Sequence, residues 1–306
     1  MPGITIVIPL HNRADLICRT LDSVAAQTYR PLHLIVIDNA STDNGAEVVS
    51  RWMESHCDGS SLTGRLLHEP TPGAAAARNR GLQEVTTEYT MFFDSDDIML
   101  PTHVERAMAG FASPTAPDIV GWDVTYCGND GLRSVKHFYT SDTQWHNIMH
   151  GGMSTQRYAA KTEIFRRAGM WNPYSRGWND VELGSRILLL NPLMMKLQGE
   201  PTVEVINTAV SITGKNFSDS SQVWEHTLDL MHHTLSLSGK GSYADCRRAI
   251  LAGCYAREGH PDKARALMAA TLSDRQPIMR RLLLRLAAAY TAIGLRGAAR
   301  LLRPFF

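Results

Sequence analysis

The sequence predicts an α/β fold in which a mostly parallel sheet is flanked by helices and followed by a helical appendage. Three observations carry this expectation. Over the first hundred residues, short apolar or β-branched runs alternate with helically spaced segments, the pattern of strands joined by crossover helices. From Ser221 onward the spacing is helical almost throughout. A chain of 306 residues is long enough for one large α/β domain and a smaller addition.

Ile4 to Pro9 is a β-branched run that reads as a buried strand ended by its proline. Asp15 to Gln27 has helical spacing, with Leu16, Ile17, Leu21 and Val24 on one side. Leu32 to Ile37 is a second strand, and Asp38 lies just beyond it. Asp43 to Glu54 is helical again, its apolar positions being Val48, Val49, Trp52 and Met53. A third strand fits Arg65 to His68. Pro72-Gly73 breaks the chain before an alanine-rich helix, Ala74 to Val85. Tyr89 to Phe93 is a fourth strand, running directly into Asp94-Ser95-Asp96-Asp97. The stretch from Ala112 to Gly177 is less regular: Ile119 to Trp122 and Arg133 to Phe138 read as short strands, and Lys161 to Ala168 as a helix. Trp178 to Leu190 is helical. Further on, Ala249 to Leu272 and Leu286 to Leu302 echo one another in the small-residue, Tyr, Gly, Ala spacing of helix–turn–helix repeats. Two copies are too few for a solenoid, so a helical cap is expected.

Composition narrows the classes. Hydrophobic residues at 44% and charged residues at 20% are ordinary for a soluble globular protein. A formal charge of +1 offers no basic surface for nucleic acid over the chain as a whole. The five cysteines, Cys18, Cys57, Cys127, Cys246 and Cys254, are scattered without a CxxC pair, so neither a zinc site nor a disulfide framework is expected. The opening Ile-Thr-Ile-Val-Ile-Pro lacks the features of a secretory leader, and no run reaches the ~18 apolar residues of a membrane span. A cytosolic protein, at most resting on a membrane, is the expectation.

In parallel α/β sheets, ligands collect at the carboxyl ends of the strands. Pro9, Asp38 and Asp94 each follow or end a predicted strand, so three segments place polar groups along one sheet edge. The strongest single feature is Phe92-Phe93-Asp94-Ser95-Asp96-Asp97. Three carboxylates within four residues repel one another unless a cation or ordered donors compensate them. Mg²⁺ or Mn²⁺ takes carboxylate oxygens, waters and the phosphates of a bound nucleotide; the plain alternative is an acidic turn. In Asp38-Asn39-Ala40-Ser41-Thr42-Asp43, an Asx turn and a helix cap explain Asp43, while Asp38 is placed to accept hydrogen bonds from a base or ribose. In Gly73-Ala74-Ala75-Ala76-Ala77-Arg78-Asn79, small residues permit close packing, and a helix N-terminus favours an anion. Arg78 and Asn79 are less easily explained by packing.

These segments occur in a fixed order: Ile-Val-Ile-Pro-Leu-His-Asn-Arg, Ile-Val-Ile-Asp-Asn-Ala-Ser-Thr-Asp, Gly-Ala-Ala-Ala-Ala-Arg-Asn-Arg-Gly-Leu and Phe-Phe-Asp-Ser-Asp-Asp. As a set spanning residues 4 to about 100, and more weakly through Gly169 to Ile187, they resemble glycosyltransferase family 2, whose members have the Rossmann-like GT-A fold. The resemblance implies inverting transfer of a sugar from a UDP- or GDP-linked donor, assisted by Mn²⁺ or Mg²⁺. It implies that Pro9, Leu10, His11 and Asn12, with Asp38, border the nucleoside, and that Arg78 and Ser95 belong to the donor site. By the same resemblance Asp94 contacts ribose or the metal shell, and Asp96 is the principal metal ligand. Asp97 matches a third acidic position that tunes or caps.

The family places its base in a Glu-Asp pair ahead of a leucine- and arginine-bearing helix. Here the stretch reads Trp178-Asn179-Asp180-Val181-Glu182-Leu183-Gly184-Ser185-Arg186, with Asn179 in place of the Glu and Asp180 retained. Asp180 is therefore the implied base. Glu182 is the rival, but two residues along a helix is about 200° around it, so Glu182 should face elsewhere. A helix cap is the alternative role for Asp180. The implied domains are a transferase domain over 1–218, with a donor-nucleotide half (1–100) and an acceptor half (101–218), and a helical region over 219–306. Trp145, Tyr158, Trp171 and Trp178 fall where an acceptor is expected, although aromatic faces suit cores equally well. His150 could approach the diphosphate, or be a loop histidine without a role.

From Arg275 to the end the chain carries seven arginines and no acidic residue, interleaved with leucines and closed by Phe305-Phe306. Such a segment either lies on an anionic bilayer or packs its apolar side on the protein. The expected partners are a nucleotide-sugar donor and a glycan or lipid-linked acceptor, with peripheral membrane contact through the arginine-rich end and no nucleic acid. Two other classes compete. A non-catalytic sugar-binding scaffold would tolerate loss of Asp96 or Asp180. A sugar nucleotidyltransferase needs a glycine-rich loop after its first strand, where this chain has Pro-Leu-His-Asn-Arg.

Overall fold

A computed structural model describes residues 2–207, 216–274 and 276–306; Arg275 of the arginine series lies outside them. The first half alternates as expected: β1 (Ile4–Leu10), α1 (Ile17–Ala25), β2 (Leu32–Asp38), α2 (Gly45–His56), β3 (Leu62–His68), α3 (Ala74–Glu84) and β4 (Tyr89–Phe92). There follow β5 (Ile98–Met99), α4 (His103–Phe111), β6 (Ile119–Gly121), β7 (Val124–Cys127), β8 (Arg133–Lys136), α5 (Thr143–His150), β9 (Tyr158–Lys161), α6 (Thr162–Arg167), α7 (Asn179–Leu189), β10 (Met194–Lys196) and β11 (Val203–Ile206). The helices α8 (Ser221–Ser236), α9 (Gly241–Arg257), α10 (Pro261–Thr271), α11 (Ile278–Ala292) and α12 (Ala298–Leu302) complete the chain.

The main sheet has seven strands in the order β10-β6-β9-β4-β1-β2-β3. β1 pairs in parallel with β2 and β4, and β2 with β3. β9 runs antiparallel to both β4 and β6, which departs from an all-parallel sheet. A smaller sheet, β5-β11-β7-β8, is separate in its hydrogen bonding, but Met99, Val124 and Val203 from it join the same core. The apolar runs of β1, β2 and β4 are fully or nearly fully buried, with α1, α2 and α4 contributing to one core.

Proline does not end the first strand. β1 continues to Leu10, and Pro9 keeps register with Ile37. The reason lies in the ladder. Val7 O accepts the Phe93 N–H at 3.0 Å, and pairing with β4 goes no further than Val7 and Phe92. Parallel strands alternate the sides to which their polar groups point, so Pro9 faces the β4 side after β4 has left, where a missing N–H costs nothing.

α3 lies close against β1 and β2 because its inner side is small. Ala75, Ala77 and Gly81 are buried, and a Cβ on Gly81 would stand 2.5 Å from Val7 Cγ1 and 2.7 Å from Ile37 Cδ1. Gly81→Ala is expected to destabilise the fold by about 1–3 kcal/mol through overpacking, read as a lower urea midpoint with an unchanged m-value.

Buried His103 accepts or donates at Nδ1 to Thr202 Oγ1 (2.7 Å) and meets Trp122 edge-on. Burial, with Arg106 a smaller contributor, pulls its pKa down to about 3. The unfolded chain, with an ordinary histidine near 6.5, therefore binds the proton first. Stability should be complete above about pH 6.5 and fall by about 1.4 kcal/mol per unit towards pH 3. Replacing His103 by phenylalanine should flatten that part of a pH–stability curve measured by denaturant unfolding.

The chain divides into two compact units. One comprises 1–143, 152–173 and 187–209; the other 144–151, 174–186 and 210–306. In the second unit, α9 is the central helix, packed by α8, α10 and α11. The echo between the two C-terminal segments is structural. Tyr255 O accepts the His260 N–H and Tyr290 O the Leu295 N–H, each across a left-handed glycine, Gly259 (φ 88°) and Gly294 (φ 83°). Among the described residues no helix is long and apolar enough to cross a membrane.

Candidate active site

Register brings the expected residues to one edge of the sheet. Leu10, Asp38 and His68 are the last paired residues of β1, β2 and β3. β4 ends beside Val7, and Asp94–Asp97 continues past it. The strand order passes from β2 through β1 to β4, so this edge holds the point where successive crossovers turn in opposite directions, the usual ligand crevice of such sheets.

Each expected residue has a definite place. Leu10 has its side chain in the core, and its carbonyl accepts the Asn39 N–H at 2.8 Å. Pro9 is half-buried, while His11 and Asn12 are exposed. His11 Nδ1 lies 2.7 Å from Asn39 O. Asn12, in the left-handed region at φ 50°, accepts the Thr42 N–H through Oδ1 at 2.8 Å and donates its backbone N–H to Ser41 Oγ at 3.2 Å, tying the β1 and β2 loops together. Asp43 accepts the N–H groups of Ala14 (2.9 Å) and Gly45 (3.0 Å), the structural role expected of it. Asp38 is buried, with Oδ2 3.0 Å from His68 Nδ1 and Oδ1 3.3 Å from the Ser41 nitrogen. Part of its capacity thus serves the turn.

Asn39, within a motif read mainly for its aspartates, organises the next loop. Its side chain donates to Glu69 O (2.9 Å) and Thr71 O (2.7 Å) and accepts the Gly73 N–H (2.7 Å). Gly73 has φ 129°, where a side chain would be strained, and it opens α3. From α3, Arg78 projects buried, its guanidinium 4.4 Å from the Trp171 ring centroid and its Nη2 2.7 Å from Asp94 Oδ1. Trp171 is fully buried against Phe92, and its backbone exchanges two 2.8 Å hydrogen bonds with the Asn79 side chain. Trp171 is therefore a support for Arg78.

The acidic turn is held from several sides. Asp94 Oδ2 accepts a short hydrogen bond from Gln156. Ser95 is buried at the bend, and Asp96 presents a partly accessible carboxylate with Arg13 Nε 3.9 Å away. α1 grips the backbone: Arg19 donates to Asp96 O and Thr20 to Asp97 O, both at 2.9 Å. Asp97 is buried and accepts the Ile206 N–H at 2.8 Å, so it is structural. Burial, then the Asp94 charge, raises the pKa of Asp96 against the pull of Arg13. Burial, then Asp94 and Asp96, raises Asp97 well above the usual range.

Mutual repulsion that raises carboxyl pKa values is what a divalent cation relieves. Among the described residues no three His, Cys, Asp or Glu side chains converge as a complete metal cage. A nucleotide site does not need one, because Mg²⁺ is held by one or two carboxylates plus substrate phosphates. The turn fits that role through Asp96, with Asp94 already engaged by Arg78 and Gln156. Arg78→Met should cost about 1.5–3 kcal/mol of stability, the worth of a charged hydrogen bond, and weaken nucleotide binding, measured by thermal unfolding and calorimetry.

Asp180 lies in the first turn of α7, its Oδ1 2.9 Å from the Val181 nitrogen. Glu182 is buried and paired with Arg186 through both oxygens (2.8 and 2.7 Å), so its carboxylate is engaged within α7. The segment before Asp180 is clamped. Trp178, at φ 50°, meets Arg247 (4.6 Å) and Trp224 (4.7 Å). Thr227 Oγ1 donates to Gly177 O at 2.8 Å, and Asn147 to Val181 O at 2.8 Å. Trp145 and Tyr158 are buried packing residues; His150 ends α5 and is exposed.

Comparison with known proteins agrees with this architecture. A family model described as glycosyl transferase family 2 matches residues 5–180. The uncharacterized glycosyltransferase YibD of Escherichia coli is 36% identical over 105 residues, 34% of this chain. That match spans 29% of YibD's own length, and the next two curated relatives are matched over 18% and 41% of theirs. A crystal structure of residues 1–349 of S. aureus TarS with UDP-GlcNAc has a TM-score of 0.69 at 15% identity, covering 99% of this chain and 92% of that one. The mannosyltransferase PcManGT of Pyrobaculum calidifontis, in complex with GDP-Man and Mn²⁺, has a TM-score of 0.54 at 20% identity, covering 99% and 87%. At such identities the likeness is one of fold, which is GT-A. By the match over residues 5–180, the chain belongs to glycosyl transferase family 2.

Proposed function

We propose that the protein is a metal-assisted, inverting glycosyltransferase that moves a sugar from a UDP- or GDP-linked donor to a hydroxyl of a glycan or lipid-linked acceptor. The observation that carries this reading is the convergence of Pro9–Asn12, Asp38 and Asp94–Asp96 at the switch point of the sheet. TarS with UDP-GlcNAc and PcManGT with GDP-Man and Mn²⁺ support a nucleotide-diphosphate donor and a divalent ion. Residues 1–218 would form the transferase domain, 1–100 its donor half and 101–218 its acceptor half, followed by a helical region over 219–306.

In this reading Asp38 accepts from the base or ribose beside the Pro9–Asn12 loop. Asp96, with Asp94 oriented by Arg78 and Gln156, would hold Mg²⁺ or Mn²⁺. When bound, that ion supplies positive charge to the leaving diphosphate. Asp180 takes the acceptor's proton as its oxygen attacks the anomeric carbon. The new carbon–oxygen bond forms as the bond to the diphosphate breaks, and the diphosphate leaves with the electron pair. A single displacement inverts the anomeric centre and needs no carboxylate nucleophile. The protein would work in the cytoplasm, in assembly of a polysaccharide or related glycan, with its arginine-rich end touching the inner face of the membrane.

The test is a panel of UDP- and GDP-sugars with Mn²⁺ or Mg²⁺, scored by nucleotide release with and without glycan acceptors. Release from one donor that needs the ion supports the reading. Binding of sugar without release from any donor would favour a non-catalytic scaffold.

A further inference from the structure

Helix α11 is apolar on two opposite sides. One side is used: Leu284, Ala287 and Thr291 are buried, and α9 admits them closely at Gly253, where a Cβ would stand 2.5 Å from Ala288 O and from Thr291 Cβ. At 100° per residue, Ile278, Met279, Leu282, Leu286 and Ile293, the last just beyond the helix end, fall within an arc of about 100° centred opposite that contact. All five are exposed, Ile278 and Ile293 at 75% and Leu286 at 64%. A helix face that is apolar is ordinarily covered, and α11 has two such faces. Singly exposed leucines need no explanation, but a continuous stripe does.

Charge selects what covers it. Arg285 borders the stripe, and Arg296 and Arg300 follow in the next turn and helix, all exposed. No acidic residue occurs after Asp274. Arg280 stacks on Phe306 and Arg281 pairs with Asp274, while Arg285, Arg296 and Arg300 stand exposed along or beyond the stripe. Two copies meeting through this stripe would bring like charges together. A surface that is apolar inside and anionic at its boundary satisfies both features.

We propose that the outer face of α11 docks in the plane of an anionic lipid surface, with Leu282 and Leu286 inserted among the acyl chains and Arg285, Arg296 and Arg300 at the headgroups. The proposal rests on the membrane contact named above and assigns its face, its lipid charge and its inserting residues. It does not depend on sugar transfer.

The experiment is co-sedimentation of the full chain with phosphatidylcholine vesicles and with mixed phosphatidylcholine–phosphatidylglycerol vesicles. The wild type should bind the mixed vesicles, weakly at high salt, and not the neutral ones. Leu282→Glu with Leu286→Glu should reduce binding at least about tenfold, and the milder pair Leu282→Ala with Leu286→Ala should reduce it part of the way. Both pairs alter exposed side chains, and circular dichroism checks that the helices persist. Failure of the wild type to bind mixed vesicles would sink the membrane contact itself. Binding that both pairs leave untouched would reject this face while sparing the contact. Equal binding to neutral vesicles would overturn the anionic requirement. A wild-type dimer made monomeric by the Glu pair would identify a protein interface instead, also overturning the proposal.

Discussion

Asp96→Ala is expected to abolish Mn²⁺-dependent binding of UDP or GDP and to leave the chain folded. Asp94 and Asp96 both keep partly accessible carboxylates, but Asp94 is already held by Arg78 and Gln156, and Asp97 is buried on the Ile206 amide. Its nearest cation, Arg13, is 3.9 Å away, too far for a direct hydrogen bond. Burial and the Asp94 charge disfavour its ionised form, so the folded chain gains nothing from this carboxylate. Alanine removes a repulsion, and thermal stability should hold or rise. Loss of groups that only orient a metal ligand costs about 10–100-fold in affinity, so loss of the ligand itself should exceed about a hundredfold. Titration calorimetry of each nucleotide with Mn²⁺ decides it. Equal affinity in the variant would remove Asp96 from the donor site. Wild-type protein that is folded yet binds neither nucleotide would shift weight to a sugar-binding scaffold.

Much of the first hundred residues was legible because local chemistry and periodicity agree there. The β-branched runs of β1 and β2 are buried strands, and the alanines of α3 mark a helix that must approach the sheet closely. Where an element depends on its neighbours, the local pattern fails. Tyr158–Lys161 reads Tyr-Ala-Ala-Lys, with no β-branched residue. It is a strand because β4 and β6 offer open edges on either side of it. β5 has two residues and exists through its pairing with β11. Pro9 looked like a strand end, yet the chain passes through it, since the proline faces the side from which β4 has departed.

The site shows the same division. Asp38, Asp94 and Asp96 could be picked out by residue type and position at or after an apolar run, and Asp180 only by the family resemblance of its stretch. Their partners could not, because they arrive from far along the chain. Gln156 reaches Asp94 across 62 positions, and Ile206 reaches Asp97 across 109. Asn39 was in view but hidden among aspartates, and only the three hydrogen bonds of its side chain reveal its role. Trp171 illustrates the limit of residue type: a tryptophan where an acceptor is expected suggests a sugar platform, whereas its ring is buried beneath Arg78.

Asp180→Asn should lower turnover by about 10²–10⁴ while leaving nucleotide binding intact, the effect of losing a general base. The substitution separates the two roles open to this residue. As a structural group in the first turn of α7, Asp180 accepts the adjacent Val181 N–H through Oδ1, and the amide oxygen of asparagine can do the same. As a base, it must take a proton, which asparagine cannot. A residue with only that structural role would therefore survive the change with turnover near wild type. Asp180→Ala removes both functions, adding a stability loss of about 0.5–1.5 kcal/mol for the lost hydrogen bond on top of the lost chemistry. Glu182→Gln supplies the contrast. Glu182 is buried and bound by Arg186 through two hydrogen bonds, so its neutral isostere should lower the unfolding temperature more than turnover. Single-turnover rates with the donor and acceptor found by the panel, set beside thermal unfolding of the three variants, separate the alternatives. A rate loss in Asp180→Asn without a stability loss excludes a purely structural role and fits a carboxylate that takes the acceptor's proton.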